Sequence, residues 1–168
     1  MARDIQFKEV QKFKQLWLWL IILIPAGLAW FGFIQQIIFK KPFGNNPAPD
    51  IILWVILVLC GIGLPIFFYS LKMRVELTSE NIHIRFWPFV SRRIAYKDIK
   101  SCEPRQYKPI REYGGWGVRY AFKKGWAYNV RGNWGVQLEL VDGKRILIGL
   151  QDAEKLSRLI NEAMRDKM

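Results

Sequence analysis

The sequence is short of the side chains that bind metals and carry nucleophilic catalysis. It holds one histidine, His83, and two cysteines, Cys60 and Cys102. Two thiols supply neither a disulfide framework nor a Cys-based zinc site. Acid is scarce as well: 14 Asp and Glu stand against 26 Lys and Arg, a formal charge of +12 over 168 residues. Because 51% of the residues are hydrophobic, a disordered polycation is excluded. Charge of either sign is missing from two stretches, 25 residues between Lys14 and Lys40 and 21 between Asp50 and Lys72.

At a helical rise of about 1.5 Å per residue these stretches reach roughly 37 and 31 Å, against a hydrocarbon core of about 30 Å. They predict a two-helix transmembrane hairpin over residues 16–71, with spans at about 16–39 and 51–71 and an external loop at 40–50. A buried core hairpin rarely runs so far uncharged. A cleavable signal peptide fits poorly: the leader from Met1 to Gln15 contains Asp4 and Glu9, and a second span follows at once. Trp17, Trp19, Trp54 and Tyr69 fall near span ends, where amphipathic rings prefer the headgroup boundary. Pro25, Gly27 and Gly32 interrupt the first span, and Gly61, Gly63 and Pro65 the second. Such residues are ordinary in packed membrane helices. With no Asp, Glu, Lys, Arg or His inside either span, neither a proton relay nor an intramembrane ion pair is expected and a stand-alone transporter or pump is disfavoured. Arg3, Lys8, Lys12 and Lys14 before the hairpin, with Lys72, Arg74 and Arg85 after it, outweigh Lys40 and Lys41 in the connector. The bias expects an integral protein of the cell membrane with both termini cytoplasmic.

From Lys72 the pattern changes to a period of two. Met73, Val75 and Leu77 alternate with Lys72, Arg74 and Glu76; then Ile82, Ile84 and Phe86 alternate with His83 and Arg85 across a Ser79-Glu80-Asn81 connection. Shorter strands are expected at Arg92–Tyr96 and Ile99–Arg105. Val118, Tyr120 and Phe122 lead through a Lys124-Gly125 turn to Trp126, Tyr128 and Val130. Val136, Leu138 and Leu140 lead to Ile146 and Ile148 through Asp142-Gly143, the signature of a type I′ turn. The C-terminal helix has Asp152 to cap it, Glu154 in its first turn and Arg165 and Lys167 in its last, with Ala153, Leu156, Leu159, Ile160 and Ala163 in one stripe. The domains expected are a basic N-terminal cytoplasmic segment, 1–15, the hairpin, 16–71, and a cytoplasmic domain, 72–168. The fold class is a membrane α-helical hairpin plus an α+β domain, in which seven or eight antiparallel strands form a small barrel or sandwich plugged by the helix.

Two spans leading into LTSENIHIRF, RRIAYKDIKSCE, GVQLELVDGKRILIG and a final helix resemble the bacterial pleckstrin-homology-like (bPH) membrane proteins. The segments YKPIREYGGWGVRY and AYNVRGNWGVQLEL are similar to an uncharacterised subfamily of them. The resemblance implies a PH-like antiparallel split barrel with a C-terminal helix and no known enzymatic activity. Phosphoinositide-binding pleckstrin domains often carry basic residues around the first hairpin loop, where this chain has the short, acidic Ser79-Glu80-Asn81. Inositide recognition is therefore not implied.

The segment from Pro104 to Gly135 carries Arg105, Lys108, Arg111, Arg119, Lys123, Lys124 and Arg131 against the single acid Glu112, interleaved with aromatic residues and glycines. Arg105, Lys108, Arg111, Tyr113, Trp116 and Arg119 are the candidate binding residues, suited to anionic lipid headgroups or an acidic protein partner. Tyr120, Phe122, Trp126 and Tyr128 follow a strand period and are expected to be buried. Gly114-Gly115-Trp116-Gly117 lacks the following helix and Lys-Ser/Thr pair of a phosphate loop, so its glycines are expected to serve backbone geometry. His83 has no ligand pattern around it and Cys102 reads as a buried strand thiol. No catalytic residue, metal or cofactor is expected. The reading is a non-enzymatic, membrane-anchored binding or scaffolding module whose partners are the lipid bilayer and an anionic headgroup or protein, with homo-oligomers left open. The alternatives are an accessory subunit of a larger membrane complex and, ranked last, a membrane-tethered nucleic-acid-binding domain.

Overall fold

Uncharged branched and aromatic residues build two long helices, α1 (Leu16–Ile38) and α2 (Asp50–Ser70), of 23 and 21 residues. Both are long and apolar enough to cross a membrane, and their most apolar stretches are only 28% and 11% buried. The computed structural model describes residues 5–165; the expectations for Arg3 and Lys167 lie outside them. Its chain divides into two units, one spanning Phe13–Leu71 and one made of the residues up to Lys12 together with those from Lys72 on.

In the first unit both helices carry a π-helical stretch, Ile34–Ile38 at the end of α1 and Leu57–Gly63 within α2. A π turn breaks the i to i+4 ladder and releases backbone carbonyls to other donors. One such carbonyl, that of Gly61, accepts the Trp30 indole N–H at 3.2 Å. A Cβ on Gly61 would stand 2.9 Å from Leu57 Cδ1 and 3.3 Å from Trp30 Nε1, so the glycine lets the helices meet. Phe33, Leu53 and Leu57 are buried together, with Trp54 edge-on to Phe33 at 4.6 Å. The connector is tied by Gln36, which donates at 2.8 Å to both Ala48 O and Asp50 Oδ1 and accepts from Phe43 N.

The second unit holds two sheets. The first contains β1 (Ile5–Lys12), β2 (Lys72–Thr78), β3 (Asn81–Trp87) and β4 (Val90–Ala95), antiparallel in that order. The second contains β5 (Ile99–Gln106), β6 (Gly117–Ala121), β7 (Gly125–Asn129), β8 (Trp134–Leu140) and β9 (Arg145–Gly149), in the order β5-β8-β9-β7-β6. Among the described strands only β7 and β9 pair in parallel. A short helix α3 (Pro109–Tyr113) joins β5 to β6, and α4 (Ala153–Arg165) ends the described chain. The arrangement is α+β, and the described strands do not close into one barrel. Met73, Val75, Leu77, Ile82 and Ile84 of the first sheet and Val136, Leu138, Ile146 and Ile148 of the second are fully buried. The α4 helix packs on β5 and β8 and buries Ala153, Leu156 and Ile160. Ser157 and Asn161 donate to the Cys102 carbonyl, and burial pushes the Cys102 thiol up to about 12, which makes it an unreactive strand residue.

Three local expectations need correction. Residues 5–12, read as a basic segment without an element, form β1, with Lys12 directly opposite Lys72. The two long helices are therefore inserted between neighbouring strands of one sheet. His83, set by alternation on the polar face with Arg85, is 2% exposed and lies 2.9 Å from Ser91 Oγ through Nε2. The Asp142-Gly143 turn has positive φ at Gly143 alone, with Gly143 N bonded to Leu140 O and Leu140 N to Lys144 O. That is the three-residue hairpin with a left-handed glycine, not type I′.

Candidate functional site

The basic aromatic segment begins where β5 runs out. Tyr107 is buried against Tyr113, Ala127 and Leu147, and Pro109 opens α3 at its first turn, where a missing N–H costs nothing. Gly114, at φ 73, ends it. Gly114 N bonds to Ile110 O and Gly115 N to Pro109 O, the closure that a left-handed glycine permits. Gly114, Gly115 and Gly117 all have positive φ, and β6, not a helix, begins at Gly117.

Glu112 organises what surrounds this helix. Its carboxylate accepts from Lys108 N at 2.7 Å and from Arg105 Nη1 and Lys124 Nζ at 3.0 Å each. Burial works against its ionisation, but the Lys108 amide and the two cations outweigh it and hold the carboxyl down at about 2. Arg105 donates further to Gln137 Oε1 at 3.1 Å and to Tyr113 Oη at 3.3 Å. A groove of about 350 Å³ opens here on the outer face of the second sheet, lined by Glu103, Arg105, Glu112, Lys124, Glu139 and Arg145 among others. Three carboxylates balance three cations, so the groove does not favour an anion.

Because the folded Glu112 is depressed from an ordinary 4.5 to about 2, its contribution to stability is full above pH 4.5 and lost as pH falls towards 2. E112Q keeps an acceptor but removes its charge, a loss of about 1.5–2 kcal/mol in all once solvent screening of the exposed lysine is allowed for. It is expected to lower the melting temperature of the intact chain by about 5 to 10 °C at pH 7, with the gap to wild type closing between pH 4.5 and 2. An unchanged gap across that interval would show that the carboxylate is not the stabilising species.

The six candidate residues thus divide. Arg105 and Tyr113 belong to the internal network, and Tyr113 is 5% exposed. Trp116 is half-buried, its indole donating to Gly132 O at 3.1 Å. Lys108, Arg111 and Arg119 are exposed, with Arg119 Nε donating to Trp116 O. The expectation of buried rings on β6 and β7 holds for Tyr128 alone. Tyr120 is 62% exposed, Phe122 83% and Trp126 38%, in a hairpin whose strand β6 is the edge of its sheet. Tyr120 faces Trp126 across the hairpin at 5.2 Å, and Trp126 stacks on Tyr128 at 6.3 Å. Among the described residues no group of three or more His, Cys, Asp or Glu is placed to hold a metal ion.

These features define a class: two apolar helices of membrane-spanning length inserted into an α+β unit of two sheets, with a basic aromatic hairpin on one edge. The chain belongs to a family of unknown function, DUF6141, whose pattern matches residues 2–166. A search of the curated proteins finds no match to it.

Proposed function

We propose that this protein is a membrane-anchored, non-catalytic binding or scaffolding module, in which a pleckstrin-homology-like domain presents the β6–β7 hairpin to an acidic protein partner. The observation that carries the reading is the row of exposed rings, Tyr120, Phe122 and Trp126, beside Arg119 and Lys123 at an edge strand. Large rings with flanking cations are the composition of interface hot spots. The pleckstrin-like assignment is supported by the mostly antiparallel strands followed by a packed C-terminal helix. The helix lengths support integration into the membrane, and the basic flanks support cytoplasmic termini.

A protein partner is favoured over headgroups for this hairpin by its position within the unit. Gly125 abuts the Arg145 backbone, the adjoining Val141 N bonds to Asp98 O, and nearby Tyr96 Oη bonds to Thr78 O at 2.8 Å. Thr78 ends β2, so these contacts lead to the end of the first sheet opposite Lys72. The same surface serves an accessory subunit if the partner is permanent.

A photoreactive residue at Phe122 in the full chain, irradiated in native membranes, tests the reading. The expected result is a discrete protein adduct, weakened about 30-fold by W126A at limiting partner, the equivalent of about 2 kcal/mol, and absent from a control at Val141. Adducts confined to lipid, or abolished by nuclease, would overturn it. In the same membranes a cysteine at Asn45 is expected to label from outside; labelling from the cytoplasm alone would reverse the orientation.

A further inference from the structure

The outer face of the first sheet carries a second basic surface, unrelated to the β6–β7 hairpin. Antiparallel register sets Arg74 directly opposite Arg85, and Lys72 opposite both Trp87 and Lys12. Lys72, Arg74, Arg85 and Trp87 line a groove of about 150 Å³. At about 30 Å³ per water that is room for about five waters, the scale of one substituted phosphate group. Three cations and one indole line it, with no carboxylate among them.

Like charges facing each other across a strand pair repel, so the arrangement costs stability unless something offsets it. Arg74 is partly compensated by Glu76 at 3.7 Å, but Glu76 is shared with Lys8 at 3.8 Å. Among the described residues neither Lys72 nor Arg85 has an acidic partner. Both are exposed. The groove therefore carries more positive charge than the protein neutralises, and two guanidinium groups suit the oxygens of a phosphate.

The surroundings say which phosphate. Beside the groove β3 ends and turns through Trp87-Pro88-Phe89, with Trp87 46% and Phe89 60% exposed. The same end of the sheet is where β1 stops at Lys12 and β2 starts at Lys72. Three residues separate Lys12 from α1 and one separates Lys72 from α2. An extended chain covers at most about 3.6 Å per residue, which keeps Lys12 within about 15 Å and Lys72 within about 7 Å of the long helices. Exposed rings beside basic side chains at such a junction match the chemistry of the lipid headgroup layer.

We propose that Lys72, Arg74 and Arg85 form a binding site for the phosphate of an anionic glycerophospholipid headgroup, with Trp87 and Phe89 entering the interface beside it. The site rests on the membrane-spanning reading of α1 and α2, and not on the partner of the β6–β7 hairpin. Arg74 and Arg85 donate to the phosphate oxygens, Lys72 supplies a third positive charge, and the bound anion cancels the repulsion between the facing arginines.

The test uses the full chain in vesicles of phosphatidylcholine with spin-labelled phosphatidylglycerol or spin-labelled phosphatidylcholine as probe. Alkaline extraction of the same vesicles reports insertion separately, so failure of the membrane reading is distinguishable from failure of the site. The wild type is expected to prefer the anionic probe, with each of R74Q and R85Q lowering that preference about fivefold, the equivalent of about 1 kcal/mol. R85K retains most of it, R119Q with K123Q leaves it unchanged, and the melting temperature of R85Q equals or exceeds that of wild type. Equal preference in wild type and in the R74Q/R85Q double variant would overturn the proposal. Inorganic phosphate that binds the detergent-solubilised protein and abolishes the preference at millimolar concentration would assign the site to a soluble anion instead.

Discussion

A fragment beginning at Lys72 is expected to melt at least 12 °C below a chain in which residues 13–71 are replaced by Asn-Gly, and to self-associate. The strand β1 supplies one whole side of β2. Without it the fragment loses Phe7, 9% exposed, and the buried Gln11, which donates to Gly149 O at 3.1 Å. It also loses the Glu9 carboxylate that accepts Gln151 N. Burying one phenylalanine contributes about 1.5–3 kcal/mol and each net hydrogen bond about 1 kcal/mol. Their sum exceeds about 3 kcal/mol, or more than about 12 °C for a domain of roughly a hundred residues. The uncovered β2 edge then offers unpaired backbone groups to another copy. Asn-Gly is the replacement because Lys12 and Lys72 are directly opposed, and a two-residue type I′ loop joins such a pair. Thermal unfolding followed by circular dichroism, with size-exclusion chromatography, decides the matter. Cooperative, monomeric melting of the Lys72 fragment at the temperature of the joined chain would show β1 to be dispensable.

The other large effect is expected at Gly149. A Cβ there would lie 2.6 Å from both Asn129 Cβ and Tyr107 Oη and 3.2 Å from Asn129 Cα. Asn129 is completely buried and its Oδ1 already accepts Gly117 N at 2.9 Å, so it cannot withdraw without releasing the start of β6. Across the ladder, Gly149 faces Gly135, where a Cβ would meet the Ile148 carbonyl at 2.5 Å. The backbones there have closed to a distance that only glycine allows. G149V is expected to cost about 3 kcal/mol or more and to lower the melting temperature by more than about 12 °C. G27A, in α1 where a Cβ meets nothing within 4 Å, is the contrast: it is neutral or stabilising, because alanine is the better helix former by about 1 kcal/mol. A G149V protein melting within 2 °C of wild type would refute the steric account.

How far these features were legible in the sequence depended on whether burial and chemistry agreed. The long helices were legible from missing charge, and β2, β3, β8 and β9 from clean alternation. Strand β1 was not, because its inward positions are Phe7, Glu9 and Gln11, two of them polar and held by hydrogen bonds to partners some 140 residues away. His83 misled in the same way, a polar residue buried by its neighbours. On β6 and β7 the error ran in the other direction. Alternation identifies a strand but not whether the sheet extends beyond the layer that covers it, so Tyr120 and Phe122 looked internal. Within the candidate site, the attraction of Glu112 for Arg105 and Lys124 joins residues 7 and 12 positions apart, and nothing in their spacing announces it.

The insertion of two spans between paired strands also bears on synthesis. A ribosome releases β1 long before β2, and the partner of Lys12 emerges only after both hydrophobic segments have left the tunnel. In the proposed topology a nascent chain that inserts one segment and fails with the other leaves Lys12 and Lys72 on opposite sides of the bilayer. The first sheet cannot then zip, and β2 remains a ragged edge open to quality-control proteases. In that topology the full-length chain closes its first sheet only when both segments have crossed, so completion of the sheet reports on insertion.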